Sequence, residues 1–395
     1  MDFVKASEPQ PSVEAELRAA APHALVATAR RLLAERVGAQ EVTLLLADYS
    51  LAVLQPVTHL PQTGAPVSAH EGPAGSAFLN QKPVLEVLGD PVGQRAHLPI
   101  TVRGDRLGVL SVRLPAGAVD PHTVLQLADF ATALGHEVAT AGRDTDLYLQ
   151  ARRTRRLTLA AEMQWQLLPG RGCARDEYVI GAHLEPAYSI GGDTFDWSTG
   201  ADHLFLTVTD GMGHGIDASL LAGLTTGALR NARRAGIGLA DHASLADQAV
   251  YAQYGGKSYA STLLLRFDLT TGIVQAVDAG SPQLFQQRAG HAERVELEAQ
   301  LPLGMFEETV YTEQTFRVEP GDRLIAVSSG VHGTRSATGD VFGERVLRQI
   351  LSATRSAPPH ETARAVVAGL IEHYGSKELM SDAAVVCVDW NGRQG

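Results

Sequence analysis

The sequence predicts an α+β protein made of two globular parts with a helical segment between them. Three observations carry this. Most strand-like runs are hairpin neighbours and the helical runs are grouped, which favours antiparallel sheets over a doubly wound fold. The texture changes over residues 143–168, which mix charges with leucines and contain neither Gly nor Pro. The 395 residues suffice for two or three domains at roughly 150 residues each.

In chain order, residues 1–12 read as a frayed arm. From Val13 to about Glu35, Leu17, Ala21, Leu25, Ala29, Leu32 and Leu33 recur at helical spacing and predict one amphipathic helix. EVTLLLADYS and LAVLQPV follow as adjacent strands, then PVLEVLG. LPITVRGDRLGVLSV is a hairpin with turn chemistry at Arg103-Gly104-Asp105. HTVLQLADFATALGHEVATA is a helix.

Residues 143–168 predict one long helix that stops at Pro169-Gly170. Leu149, Leu157, Met163 and Leu167 form no clean heptad, so this helix either packs on its own domain or pairs in a homodimer. Arg152, Arg153, Arg155 and Arg156 read as a solvated face, with docking of an acidic partner as the sharper alternative. Beyond Gly170, YVIGAHLEPA, HLFLTVTD, STLLLRFDL, GIVQAVDAG, QLFQQRAG, YTEQTFRVE, DRLIAVSS and AAVVCVDW read as strands. ALRNARRAGIG, HASLADQAVYAQYG, FGERVLRQILSAT and HETARAVVAGLIEHYG read as helices.

The bulk balance, 45% hydrophobic and 19% charged, is that of a globular protein. A formal net charge of -11 argues against a nucleic-acid partner, because phosphate binding needs surplus Lys and Arg. Cys173 and Cys387 lack metal-type spacing and read as free thiols in a reducing cytoplasm. The N-terminus has no apolar signal region, and no run of about 18 apolar residues predicts a membrane span.

Residues 13–140 resemble a GAF domain, through EGPAGSAFLNQKPVLEV, LPITVRGDRLGVLSV and LADFATALGHEV. The resemblance implies a six-stranded antiparallel sheet between helices, with a pocket for an unidentified small molecule on one face. It serves equally a sensor or a dimerisation module. Gly108 in this reading allows tight strand packing.

The later half carries stronger motifs. AEMQWQLLP contains a Gln-x-x-Leu-Leu-Pro segment, SIGGDTFDW a Gly-Gly-Asp-x-x-Asp, and TDGMGHG an Asp-x-x-Gly-His-Gly. SYASTLLLRFD, VDAGSPQLF, LPLGMF and EPGDRLIAVSSG follow in order. This set resembles the SpoIIE/RsbU branch of the metal-dependent (PPM) protein serine phosphatases, from about Trp165 to Trp390. The resemblance implies a helical linker over 141–170 and a phosphatase domain over 171–391 with an αββα sandwich. It also implies metal-activated water in place of a protein nucleophile, with Mn or Mg on oxygen ligands. Asp193 and Asp210 match the ligands, with the Gly211 carbonyl as a third oxygen. Gly211, Gly213 and Gly215 let the backbone bend tightly beside the ion, Gly191 and Gly192 support the site, Asp196 holds the Gly-Gly-Asp loop, and His214 packs the turn.

Three positions depart from that pattern. Ser329 stands where the family has its third Asp, and Ser381 stands at the first position of its Asp-Asp pair. Asp382 matches the second position, which in a strand points to the opposite face. It substitutes only if its segment is loop or shifts by one residue. Ser281 replaces the family's usual His in Ala-Gly-His. The expectation is one metal rather than two. Two functions follow: a pseudophosphatase that holds a phosphoprotein, or a weak phosphoserine phosphatase. By resemblance, the partner is a phosphorylated STAS-type anti-anti-sigma factor or a related regulator.

Overall fold

Pro22 breaks the first predicted helix. Ala20 turns extended ahead of it, so residues 13–37 form two helices, α1 (Val13–Ala19) and α2 (Leu25–Val37). Proline lacks the N–H a helix needs and pushes the residue before it out of the helical region. The structure is a computed structural model that describes residues 12–58, 64–89, 93–185, 188, 191–343, 345–376 and 379–393. The predicted frayed arm therefore lies, apart from Ser12, outside the described residues. The chain divides into two units between Arg155 and Arg156.

In the first unit, α1 and α2 are followed by β1 (Glu41–Ala47), β2 (Val53–Pro56), β3 (Val67–Ser68), α3 (Gly72–Asn80) and β4 (Val84–Leu88). Then come β5 (Gly93–Val102), β6 (Asp105–Pro115), α4 (Pro121–Ala141) and α5 (Leu147–Ala151). The strands form one antiparallel sheet in the order β3-β2-β1-β6-β5-β4. The β5–β6 hairpin turns on Arg103 and Gly104, both at positive φ, the conformation that matches the twist of the strands. A side chain at Gly108 would meet the Leu45 carbonyl at 1.9 Å, so β6 lies closer to β1 than any other residue would allow.

Leu98, Ile100, Leu110, Val112 and Leu114 pack on one face against Leu25, Leu32, Phe130 and Leu134 of the helices. Leu45, Leu54 and Val109 meet Ala74, Ala77 and Phe78 of α3 on the other face.

The predicted helix over 143–168 is two short ones with non-helical chain between them. α5 belongs to the first unit, where Tyr148 is buried and donates to the Pro22 carbonyl at 2.6 Å. α6 (Leu159–Leu167) belongs to the second. Short polar side chains interrupt the helix in place of Gly or Pro: Thr145 accepts from the Leu147 N–H, and Thr158 caps α6 by accepting from Ala161. Arg152 is not wholly a solvated face either, because it donates to the Ala47 carbonyl and stacks over the Tyr49 ring.

In the second unit, α6 leads to β7 (Gly172–Arg175), β8 (Tyr178–Glu185), β9 (Thr194–Thr199), β10 (His203–Gly211), α7 (Gly215–Arg234) and α8 (Leu239–Tyr254). β11 (Ala260–Asp268), β12 (Ile273–Ala279), β13 (Gln283–Arg288), β14 (His291–Arg294), β15 (Gln314–Arg317) and β16 (Arg323–Val327) follow. The last elements are α9 (Ser329–His332), α10 (Val346–Ala353), α11 (Pro359–Tyr374) and β17 (Ala383–Trp390).

One sheet runs β15-β12-β11-β10-β9, the other β14-β13-β16-β17-β8-β7. α7 and α8 cover the first, and α10 and α11 cover the second. Phe267 and Trp390 stack at 5.8 Å from one sheet to the other. This is the αββα sandwich that the resemblance implies. β17 explains the unbroken apolar run AAVVCVDW: Ala383, Val385 and Cys387 face the α10–α11 layer, and the alternate residues are buried too. Cys387 is buried and Cys173 half-buried, and neither forms a disulfide among the described residues. Among the described residues, no helix is long and apolar enough to cross a membrane.

Candidate metal centre

The site forms where the two sheets end together. Thr194 of β9 pairs with Thr209 of β10, which sets Asp193 beside the end of the strand that carries Asp210. From the other sheet, Ser328 donates its N–H to Ala384, and its hydroxyl accepts from the Ala384 N–H, both at 3.0 Å. This clamp brings Ser329 and Asp382 to the same edge. A side chain at Gly192 would meet the Gly211 carbonyl at 2.2 Å, so only glycine lets the Asp193 loop lie so close to β10.

Asp382 settles the question its register posed. It lies in the loop just before β17, not in the strand, and turns into the site. Its Oδ2 accepts from the Gly191 N–H at 2.5 Å and the Asp193 N–H at 3.2 Å. Ser381, the position the family fills with carboxylate, is exposed.

Asp210 is held by serines. Ser281 Oγ donates to its Oδ2 at 2.9 Å, the Ser329 N–H donates at 3.2 Å, and the Ser329 hydroxyl donates to the same oxygen. His332 Nε2 lies 3.0 Å from the Ser281 carbonyl and fixes that segment from behind. Burial holds the His332 imidazole below its usual pKa.

Three carboxylates thus share one partly dry region. Burial, then the charges of Asp210 and Asp382, raise the Asp193 pKa well above the carboxylate range. Burial also pushes Asp382 up to about 6, against the pull of its N–H donors. Asp193 is 4% exposed, and its Oδ2 has no hydrogen-bond partner among the described residues.

These are hard oxygen donors with excess negative charge, and an orphaned buried carboxylate oxygen is one that a cation satisfies. The residues therefore fit one divalent ion at Asp193 and Asp210. At the positions where the family sets its further carboxylates stand the neutral hydroxyl of Ser329 and the exposed Ser381, with the Asp382 carboxylate beside them. Among the described residues no three His, Cys, Asp or Glu side chains close round a point as a finished metal cage does. The reason is visible in the bonding, since Asp210 is turned to its serines and Asp382 to the loop amides.

The supporting residues differ from expectation. Asp196 does not hold the Gly-Gly-Asp loop. It is buried in β9, where Arg230 of α7 pairs with it at 2.8 Å and Arg233 at 2.9 Å. It ties α7 to the sheet. His214 does not pack the turn: it occupies the backbone N-cap position of α7 with its side chain exposed. Gly213, at φ 100°, takes the bend there.

Two contributors escaped the site reading. Gln164 of α6 donates to the carbonyls of Gly191 and Asp193, and Ser219 of α7 donates to Gly191. Gln164 opens the Gln-x-x-Leu-Leu-Pro segment, so its place in the sequence was marked while its contact was not. Ser219 carried no signal.

Residues 200–391 match the family model described as Stage II sporulation protein E. Protein IcfG of Synechocystis sp. is 22% identical over 255 residues, 58% of this chain and 40% of that protein. The chain thus spans about two-fifths of that curated relative. Among solved structures, the SiaA-PP2C domain of Pseudomonas aeruginosa is similar with a TM-score of 0.50 at 21% identity, covering 58% of this chain and 94% of that one. The PP2C phosphatase domain of SpoIIE from Bacillus subtilis, with a fragment of its regulatory domain, gives 0.50 at 14%, covering 79% and 82%. At such identities these two structures speak to the fold. Motifs, sandwich and family match agree: over residues 200–391 the second unit is similar to the SpoIIE/RsbU type of PPM phosphatase domain.

Proposed function

We propose that this chain is a signalling protein whose phosphatase domain binds one divalent ion, Mn or Mg, and turns over phosphoserine weakly or not at all. One observation carries the reading: Asp210 is engaged by the hydroxyls of Ser281 and Ser329, at a place where the family sets a further carboxylate. A bound dication would supply charge to polarise phosphoryl oxygen and acidify water. Asp193 and Asp210 would hold it, and Asp382 keeps the Gly191–Asp193 loop folded over that position. A hydroxyl contributes no negative charge to a second ion, so affinity there falls away.

By resemblance, the protein acts in a bacterial partner-switching pathway in the cytoplasm. It grips a phosphorylated STAS-type anti-anti-sigma factor or a related regulator. The first unit, read as a GAF domain, binds a small molecule or a second copy of itself, and with the segment after it controls that grip.

The second reading, an active Mn- or Mg-dependent phosphoserine phosphatase, is favoured by one feature. Asp382 turns its carboxylate into the site instead of away from it. Hydrolysis of p-nitrophenyl phosphate with and without millimolar Mn, against Asp210→Asn, separates the two. Turnover no higher than the variant's supports the binding protein. Mn-dependent turnover lost in the variant supports the enzyme.

A further inference from the structure

Gln164 is a fully buried amide on a helix that precedes both sheets, and it points at the metal loop. Its Nε2 lies 3.1 Å from the Gly191 carbonyl and 3.2 Å from the Asp193 carbonyl. Two acceptors facing one amide leave a single favourable orientation, with the NH2 inward. Its Oε1 has no partner among the described residues, so the donor end alone anchors it.

The loop is held from its other side as well. The same two residues give their N–H groups to Asp382. Gly191 and Asp193 therefore have their carbonyls fixed by α6 and their amides fixed by the chain before β17.

The attachment of α6 is not confined to Gln164. Ser219 Oγ lies 3.2 Å from the Gly191 carbonyl and 3.3 Å from the Ala160 carbonyl of α6, so it spans loop and helix. Arg230 donates to the Leu167 carbonyl at the far end of α6 while it pairs with Asp196. Packing alone does not require a buried amide in the middle of such a helix. An unbonded one costs free energy, and a leucine would fill the space without that cost.

We infer that Gln164 is a positioning residue for the Gly191–Asp193 loop, and that α6 is thereby a working part of the metal centre. It sets the Asp193 carboxylate by gripping the backbone on both sides of Gly192. The part of this that concerns the ion rests on the reading of Asp193 as a ligand; the part that concerns the loop does not. Regulation of the site then has a physical handle, since a displacement of α6 withdraws one hydrogen bond from Asp193 and one from Gly191, two residues before it.

The test uses the full chain with Gln164→Glu, Gln164→Leu and, as control, Gln166→Leu on the exposed face of α6. Gln164→Leu removes the donor without adding charge, and Gln164→Glu keeps the shape but replaces the amide donor with a carboxyl group. Hydrogen exchange of the peptide covering residues 191–199 is the first readout, and Mn binding by calorimetry is the second. Both Gln164 variants should exchange this segment at least about tenfold faster, with the sheets still protected and Gln166→Leu unchanged. Mn affinity should fall about tenfold, the usual scale for a residue that orients a ligand.

Unchanged exchange in folded Gln164→Leu overturns the inference, because a space-filling role would leave that variant like the parent. If Gln164→Leu fails to fold, Gln164→Met, which also lacks the donor, decides. A parent chain that binds no Mn defeats the one-ion reading, while the exchange result still decides the role of Gln164.

Discussion

The Asp382 carboxylate accepts the Gly191 N–H at 2.5 Å, and through it the loop leading into the last strand of one sheet fastens the metal loop of the other. A carboxylate that takes two backbone N–H bonds in a dry region does structural work before any ion arrives. Asp382→Ala leaves both donors buried without an acceptor. The variant should lose about 1–3 kcal/mol of stability in urea unfolding at neutral pH. No loss would mean that the loop is held from the Gln164 side alone.

Ser329 and Ser381 mark where charge is missing. The double variant Ser329→Asp, Ser381→Asp should raise Mn affinity and hydrolysis together. It should also lose stability without Mn, because a carboxylate at 329 then faces Asp210. Thermal unfolding with and without Mn reads both effects: a lower Tm without the ion and a larger gain on adding it. No gain in affinity or hydrolysis would contradict the assignment of these two positions.

Asp196 is 4% exposed and depends on two arginines. Removing one leaves the other in place, so Arg230→Met should cost about 1–3 kcal/mol. Removing both strands a buried charge, and the double variant should lose about 3–5 kcal/mol. Chemical unfolding measures both. Equal losses would mean that Arg233 contributes nothing.

Asp278 gives a pH signature away from the ligands. Burial pushes its carboxyl up to about 6 against the Gly280 N–H and Arg294, which pull it down. The folded protein therefore holds this proton more tightly than the unfolded chain does. The stabilisation this gives is complete below the unfolded value near 3.8 and is lost as pH rises through about 6. Asp278→Asn should match the parent near the acid limit and become more stable than it above that window. The difference should reach up to about 3 kcal/mol, at 1.36 kcal/mol per pKa unit. A constant difference across the range would contradict it.

Much of this was legible in the sequence where short-range patterns decide structure. The Arg103-Gly104 hairpin and the apolar run of β17 follow from local chemistry. The Asp193 and Asp210 motifs were readable because the resemblance marks them. What failed depends on partners distant in sequence or on subtle breaks. Thr158 ends the predicted long helix by capping a new one, a signal weaker than Gly or Pro. Asp196 looked like part of its loop because its arginines lie more than thirty residues away. Asp382 could not be placed, because alternation fixes a face only once the strand's first residue is known, and β17 begins one residue later.

The central claim is that one ion fits this centre and a second does not. Titration of the full chain with Mn, followed by calorimetry and by the paramagnetic resonance of the bound ion, tests it most directly. The account predicts one weakly held Mn per chain, lost in Asp193→Asn, with the spectrum of an isolated ion. Two tightly held ions per chain, with the coupled spectrum of a bridged pair, would contradict it.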